Sequence, residues 1–386
     1  MGSKSYTKFL PYGSQWIEES DIQVVQKALR SGWLTQGPLV EKFEQAMAKY
    51  CGSNYAVAVS SGTSALHAAY AVAGIRAEDE VITPPLSFSA TANAIVYCGG
   101  KPVFSDIDED TLCIDPYEIE KKITKRTKAI APVDFAGRPA EYDVILKIAK
   151  KHKLLVIEDA AHALGSVYKG SKIGSIADMT ILSFHPVKTI TTGEGGMILT
   201  NRRDFYERLK VFRHHGIVKK PEKGGWYYDI EQLGNNYRIT DFQCALGLSQ
   251  LRKLPGFAKR RREIVTAYNR AFEHLPFLIL PRIEAHINPV FHLYVVQLRL
   301  DMLKTGRKTI FEDLHKQGIG VQVHYIPVHL LSFYQKQFGY KKGDFPVTER
   351  YYERTISLPL FPKMSLKDVE RVIKVFMNTI NMYAGR

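Results

Sequence analysis

Two hydrophobic periods alternate along most of the chain. From about residue 20 to 250, stretches with an apolar residue every three or four positions are interleaved with short β-branched runs, the pattern of a sheet flanked by helices. Asp21 to Arg30 and Pro38 to Tyr50 read as amphipathic helices, stopped at Ser31-Gly32 and Cys51-Gly52. YAVAVS at 55–60 reads as a strand that runs into a helix from about Thr63. EVITPP is a second strand, closed by its proline pair and followed by a helix from about Ser89 to Tyr97. KPVFSDID, KAIAPVDF and LLVIEDAAHA add three strands, with a helix around 141–152 before the last. MTILSF and GGMILT follow so closely that they read as a hairpin or return strand.

After Leu254-Pro255-Gly256 the texture changes. A charged helix from Ala258 to Leu275 leads to mixed strands, among them HLYVVQLRL and VQVHYIP, and to a closing helix near 366–381. The expectation is two domains: residues 1–254 as a large α/β domain that includes the N-terminal segment, and 255–386 as a smaller α+β domain. The first few residues read as unstructured.

Composition narrows the class. With 386 residues, 45% hydrophobic and 24% charged, the chain is that of a folded protein. No apolar run approaches the roughly 18–20 residues that span a bilayer, and the N-terminus lacks the pattern of a signal peptide. Cys51, Cys98, Cys113 and Cys244 have neither disulfide-framework nor zinc-ligand spacing, so a metal is not expected and a reduced cytoplasm fits. The formal charge of +14 calls for an anionic partner. No aromatic-studded basic motif of the nucleic-acid modules is present, which favours a small phosphate or nucleotide-sugar. KKITKRTK at 121–128 reads as a solvated helix face.

Four segments carry chemistry. In SFHPVK, Lys188 follows a short loop and precedes the glycine cluster TTGEGG; packed backbone there desolvates an amine and makes it nucleophilic, whereas an open loop leaves it an ordinary solvated lysine. In VIEDAAHA, Asp159 ends a buried strand, where open α/β sheets place ligand contacts, and a carboxylate there can hold a pyridinium N–H. Glu158 points to the other face and reads as structural. His162 either bonds a ring substituent or is a satisfied core histidine. SSGTSAL at 60–66 puts small residues at a helix N-terminus, suited to a phosphate or to a plain cap by Thr63 or Ser64. In LSFSATANA, Phe88 either stacks on a flat heterocycle or belongs to the core. Singly each is modest; their order along the chain is not.

Together these segments resemble the DegT/DnrJ/EryC1/StrS family, the sugar-aminotransferase branch of fold-type I pyridoxal-phosphate (PLP) enzymes. The likeness covers nearly the whole chain and includes LTQGPLVEKFE, SSGTSAL, EVITPPLSFSATANAI, EDAAHALGS, SFHPVKTITTGEGG, LGNNYRITDFQCALGLSQL and VHYIPVH. The resemblance implies a large domain with a mostly parallel central sheet and a smaller C-terminal domain. It implies that Lys188 carries PLP as a Schiff base and moves the proton, that Asp159 pairs with the ring nitrogen and that Phe88 stacks on the ring. His162 is expected near the ring's O3′, where many relatives have Gln. Gly62, Thr63 and Ser183 are expected at the phosphate. Asn236 is expected to reach the phosphate of the neighbouring subunit's cofactor, in a homodimer with active sites at the interface. His324 and Tyr325 are expected near the substrate, and Arg238 at one of its anionic groups.

The implied reaction takes the amino group of L-glutamate, through pyridoxamine 5′-phosphate, to a keto-sugar. TTGEGG, FRHHGIVKK and VQVHYIPVHLLSFYQ are most similar to the transaminases of pseudaminic acid biosynthesis, which implies the C4 keto carbon of a UDP-linked 4-keto-6-deoxy-N-acetylhexosamine. Alternative acceptors are dTDP-linked or 3-keto sugars and a keto-inositol. Pro186 and Asn235 depart from the residues common at those places, Ala and an aromatic. A non-catalytic nucleotide-sugar-binding protein would keep the phosphate cradle and need no lysine at the ring.

Overall fold

The computed structural model describes residues 9–385, so the reading of the extreme N-terminus lies largely outside the described residues. After two N-terminal helices come β1 (Tyr55–Val59), β2 (Glu80–Thr83), β3 (Lys101–Phe104), β4 (Thr127–Ile130) and β5 (Leu155–Asp159). A small hairpin, β6 (Val167–Tyr168) and β7 (Ser171–Lys172), precedes β8 (Met179–Ser183) and β9 (Gly196–Thr200). The central sheet has seven strands in the order β1-β9-β8-β5-β4-β2-β3. Its pairs from β8 through β5, β4, β2 and β3 are parallel, and β9 runs antiparallel to both β1 and β8. The close spacing of MTILSF and GGMILT thus makes a return strand.

Alternation along the strands feeds two cores. Ala58, Ile82, Ile130, Val156 and Leu182 pack on one face, and Val57, Val81, Ala129, Ile157 and Ile181 on the other. Helices α1 (Glu19–Leu29), α2 (Pro38–Cys51), α3 (Gly62–Val72), α4 (Ala90–Tyr97), α5 (Pro116–Lys122), α6 (Tyr142–His152), α7 (Arg203–Arg213) and α8 (Asp241–Phe272) flank or follow these strands. Gly52 closes α2 in the left-handed conformation at φ 77°, as Cys51-Gly52 foretold.

Four expectations are corrected. KKITKRTK is helical only at its start, because α5 ends at Lys122 and β4 begins at Thr127; Lys125 and Arg126 are solvated on the turn between them, and Lys128 lies on the strand. The helix expected from Ala258 to Leu275 starts earlier: α8 runs from Asp241 to Phe272, through Pro255, for 32 residues. A helix-interior proline costs about 3 kcal/mol, and burial of Leu251, Leu254 and Phe257 in the first core, with Ile264, Val265, Tyr268 and Phe272 in another, outweighs it. VQVHYIP is not a strand; only Gln322 bridges to Ser357, and the rest is irregular. Leu10, expected with the large domain, instead pairs with Ile319 and packs among C-terminal residues.

That last core belongs to a smaller body. After the hairpin β10 (Ile217–Lys219) and β11 (Tyr228–Ile230), and α8, come β12 (Leu278–Ile279), β13 (Ile287–Asn288), β14 (Tyr294–Leu298) and β15 (Thr355–Leu358). β12, β14 and β15 form an antiparallel sheet, covered by the C-terminal helix Leu366–Tyr383. Arg261 on α8 is fully buried here, with Nη1 donating to the carbonyls of Phe291, His292 and Leu360. Among the described residues, no helix is long and apolar enough to cross a membrane.

Candidate active site

A cavity of about 390 Å³ opens at the carboxyl ends of β1, β5 and β8, where an open α/β sheet receives its ligands. Gly62, Thr63, Phe88, Asp159, His162, Ser183, Lys188, His324 and Tyr325 all line it. The sequence singled out each of these, and the fold collects them from positions up to 263 residues apart.

One end is a cradle for an oxyanion. Ser61 is the N-cap of α3, its Oγ accepting from the Ser64 N–H at 3.0 Å while Ser64 Oγ accepts from the Ser61 N–H at 2.8 Å. The cap is therefore Ser61, not Thr63 or Ser64. The N–H groups of Gly62 and Thr63, first in the helix, have no intrahelical acceptor. Ser183, at the end of β8, stands directly over them: a Cβ on Gly62 would lie 3.0 Å from Ser183 Cβ and 3.1 Å from its Oγ. Gly196 explains part of the glycine cluster, since a Cβ there would lie 2.3 Å from the Ser61 carbonyl oxygen. Two glycines let three backbone segments close around a phosphate-sized space at the positive end of a helix.

Asp159 forms another wall. Its Oδ1 accepts the Ala161 N–H at 3.1 Å and its Oδ2 the Thr91 hydroxyl at 2.6 Å. Burial raises its pKa; Thr91, the Ala161 N–H and Lys188 act against that rise. Lys188 borders the cavity, and burial pushes its amine down to about 8, against the pull of Asp159. This is the desolvated amine that the glycine cluster pointed to.

His162 is buried, and Nε2 meets Tyr325 Oη at 3.1 Å. Its ring lies 4.3 Å from that of His292, centroid to centroid. Burial and the charge of Lys188 hold His162 well below the usual imidazole range, so it is neutral. His324 bonds Ser357 Oγ through Nδ1 at 2.8 Å, and burial pushes it down to about 3. Phe88 is not a core residue: it is 60% exposed and faces the cavity mouth beside Tyr325.

Two predicted residues are not brought to this cavity within one chain. Arg238 lines a separate cavity of about 330 Å³ with Gln36, Lys210, Arg213 and His214, where its Nη1 meets His214 Nδ1 at 2.8 Å. Asn236 bridges to His214 beside it. Conversely, Tyr12, His185 and Glu194 line the Lys188 cavity, and Thr91 backs it, without having been singled out. Tyr12 carries no local signal, and Thr91 sits unmarked in the segment that yielded Phe88.

The residues fit PLP: a cradle closed by glycines for the phosphate, a held carboxylate for the ring nitrogen, an exposed aromatic ring and a desolvated lysine. Comparison with known proteins agrees. The model of the DegT/DnrJ/EryC1/StrS aminotransferase family matches residues 15–377. The chain is 45% identical to the spore coat polysaccharide biosynthesis protein SpsC of Bacillus subtilis, over 96% of this chain and 97% of that protein. It is 42% identical to the UDP-4-amino-4,6-dideoxy-N-acetyl-beta-L-altrosamine transaminase of Campylobacter jejuni, over 94% and 95%. Among solved structures, Helicobacter pylori PseC, an aminotransferase of pseudoaminic acid biosynthesis, superposes with a TM-score of 0.92 at 36% identity, covering 97% of this chain and all of that one. The PLP form of the Streptococcus pneumoniae putative sugar aminotransferase Spr1654 gives 0.91 at 32%, covering 97% and 99%. The chain belongs to the DegT/DnrJ/EryC1/StrS aminotransferase family and is a PLP-dependent aminotransferase.

Proposed function

We propose that this enzyme transfers the amino group of L-glutamate to the C4 keto carbon of a UDP-linked 4-keto-6-deoxy-N-acetylhexosamine, as a cytoplasmic homodimer. The observation that carries the reading is the convergence of Lys188, Asp159 and the Gly62–Thr63–Ser183 cradle on one cavity. PLP, when bound, supplies the electron sink that stabilises a carbanion next to the amino nitrogen. Lys188 would hold the cofactor, and its free amine would accept the donor's α-proton as general base. An amine with a pKa of about 8 is suited to that task near neutral pH. Asp159 keeps a proton on the ring nitrogen. The first-turn N–H groups of α3 and the Ser183 hydroxyl would bind the phosphate, and Phe88 would offer its ring to the cofactor's. Neutral His162 donates or accepts at the ring's oxygen without adding charge beside Lys188.

Asn236 and Arg238 serve the partner subunit's site in this reading. Supporting it, neither lines its own Lys188 cavity, and exposed apolar side chains occur on nearby stretches of chain: Trp33 and Leu34 before Gln36, and Trp226, Tyr228, Ile230 and Leu233 on the β10–β11 hairpin and the turn after it. His324, Tyr325 and Tyr12 face the sugar.

The C4 acceptor is supported by the likeness to the Campylobacter transaminase and PseC. A second reading, amination of a different keto-sugar, is favoured by the somewhat higher identity to SpsC. Incubation with glutamate and a panel of UDP- and dTDP-linked keto-sugars, with products read by mass and by NMR at the aminated carbon, separates the two. Conversion of the UDP-4-keto-6-deoxy-N-acetylhexosamine is expected. Conversion of another member alone moves the assignment to that sugar. Lys188→Ala is expected to lose at least about 10²–10⁴-fold in turnover, and full activity in that variant refutes the role of the lysine.

A further inference from the structure

The segment that offers Phe88 to the cavity turns inward one helical turn later. α4 starts at Ala90, so Thr91 falls in its first turn, and Thr91 is buried to 1% exposure where Phe88 is 60% exposed. Its hydroxyl has two acceptors within reach, Asp159 Oδ2 at 2.6 Å and the Phe88 carbonyl at 3.3 Å. A hydroxyl has one proton, and the shorter contact to the charged acceptor takes it. Thr91 Oγ1 then has lone pairs to offer, and Ser87 Oγ lies 2.7 Å away to fill one. Ser87, itself buried, completes a chain of two hydroxyls that ends on the carboxylate.

We propose that Thr91, backed by Ser87, is a positioning residue for the cofactor: it clamps Oδ2 of Asp159 while the Ala161 N–H clamps Oδ1, fixing the carboxylate plane toward the ring nitrogen. The two donors come from different elements, α4 and the turn after β5, so the carboxylate is held from two sides. Its remaining lone pairs are left for the cavity that Asp159 lines. Burial raises the Asp159 carboxyl, and the Thr91 hydroxyl is the foremost influence opposing that rise; only an ionised carboxylate stabilises a protonated pyridine. The proposal rests on Asp159 as partner of the ring nitrogen, and its test separates the two.

The variants are Thr91→Val, which keeps the shape and removes the hydroxyl, Thr91→Ser, which keeps the hydroxyl, and Ser87→Ala, with Asp159→Asn as reference. Each apoenzyme is titrated with PLP, and each holoenzyme loaded with PLP labelled with ¹⁵N at the ring is read by its ring-nitrogen chemical shift against pH. Thr91→Val is expected to weaken PLP binding about tenfold, the loss of one hydrogen bond to a charged group, and to move the ring nitrogen toward the neutral-pyridine shift. Thr91→Ser is expected to restore both, and Ser87→Ala to move both less, in the same direction. Should Thr91→Val not fold, Ser87→Ala and Thr91→Ser carry the test through the same shift. A ring nitrogen that stays fully protonated in Thr91→Val, or equal impairment in Thr91→Val and Thr91→Ser, overturns the proposal. If Asp159→Asn also leaves the ring nitrogen unchanged, the role assigned to Asp159 fails instead.

Discussion

Along β5, two adjacent carboxylates face opposite sides of the same sheet. Asp159 looks into the cavity, where two donors hold it and Lys188 stands by. Glu158 looks into the core, with no exposed surface, and accepts from the Thr180 hydroxyl. Near it lies Asp134, equally buried, whose Oδ1 accepts from the Ala140 N–H at 2.9 Å and the Tyr142 hydroxyl at 2.7 Å. The other oxygens, Asp134 Oδ2 and Glu158 Oε1, have no donor in reach, and the two carboxyls are close enough to influence one another's titration. A single shared proton satisfies both, because two charged carboxylates cannot sit together in a dry core. Burial raises both carboxyls accordingly. The core side therefore keeps a proton for stability, while on the cavity side Thr91, the Ala161 N–H and Lys188 all work against burial in favour of the charged form. The two are joined through the backbone, since the Asp134 N–H donates to the Asp159 carbonyl at 3.0 Å.

The sharpest way to break this comparison is to remove one charge from each face. Asp159→Asn is expected to lower turnover by about 10²–10³-fold, the scale of losing one electrostatic contact used in the transition state. Glu158→Gln is expected to leave turnover within about twofold, because the amide presents an N–H to Asp134 where the shared proton was. Steady-state kinetics on the two proteins checks both. Comparable losses would erase the distinction between the faces.

Truncation on the core side should cost stability instead. Glu158→Ala leaves the Thr180 hydroxyl and Asp134 Oδ2 without their partner in a closed core, and is expected to destabilise by about 2–4 kcal/mol. Urea unfolding of the apoprotein measures it, with activity per folded molecule unchanged. A midpoint equal to the parent's would mean the cluster is not structural.

The two faces were unequally legible in the sequence. Strand alternation alone sent Glu158 and Asp159 to opposite sides, and the short spacings of SSGTSAL and SFHPVK kept each functional group beside its own glycines. Glu158's partners were not legible, because Asp134 and Thr180 lie 24 and 22 residues away on other segments and nothing in DF or MTILSF marks them as polar neighbours. Thr91 was hidden for the same reason, 68 residues from the carboxylate it holds. VQVHYIP has a strand's alternation, but His324 is held by Ser357 and Tyr325 by His162 at the cavity, so the pattern did not report a ladder. Pro255 punctuated the sequence without ending the helix, because tertiary burial on both sides exceeds its local cost.

The shared proton also gives the core side a pH dependence. An unfolded carboxyl releases its proton near pH 4, whereas the folded pair retains one to higher pH. Between those values the folded state binds more protons than the unfolded, so stability falls as pH rises through the window, by at most about 1.4 kcal/mol per pH unit. Glu158→Gln has no such proton to lose. Its stability relative to the parent should therefore grow from pH 5 to pH 8 in urea unfolding of the apoprotein. Parallel pH profiles would refute a shared proton.

On the cavity side the smallest expected change is in Lys188. Desolvation lowers its pKa and the Asp159 charge raises it, to a balance at about 8. Asp159→Asn removes only the raising influence, so the amine should titrate lower than in the parent. The pH dependence of labelling of Lys188 in the apoprotein by an amine-directed reagent, followed by peptide mass, reports the midpoint directly. In Glu158→Gln the same midpoint should stay where it is, because that carboxyl gives up no charge toward the cavity. A midpoint that moves equally in both variants would mean that the sheet does not separate the two faces electrostatically. A shift in Asp159→Asn alone would show that one strand keeps a proton on one side and a charge on the other.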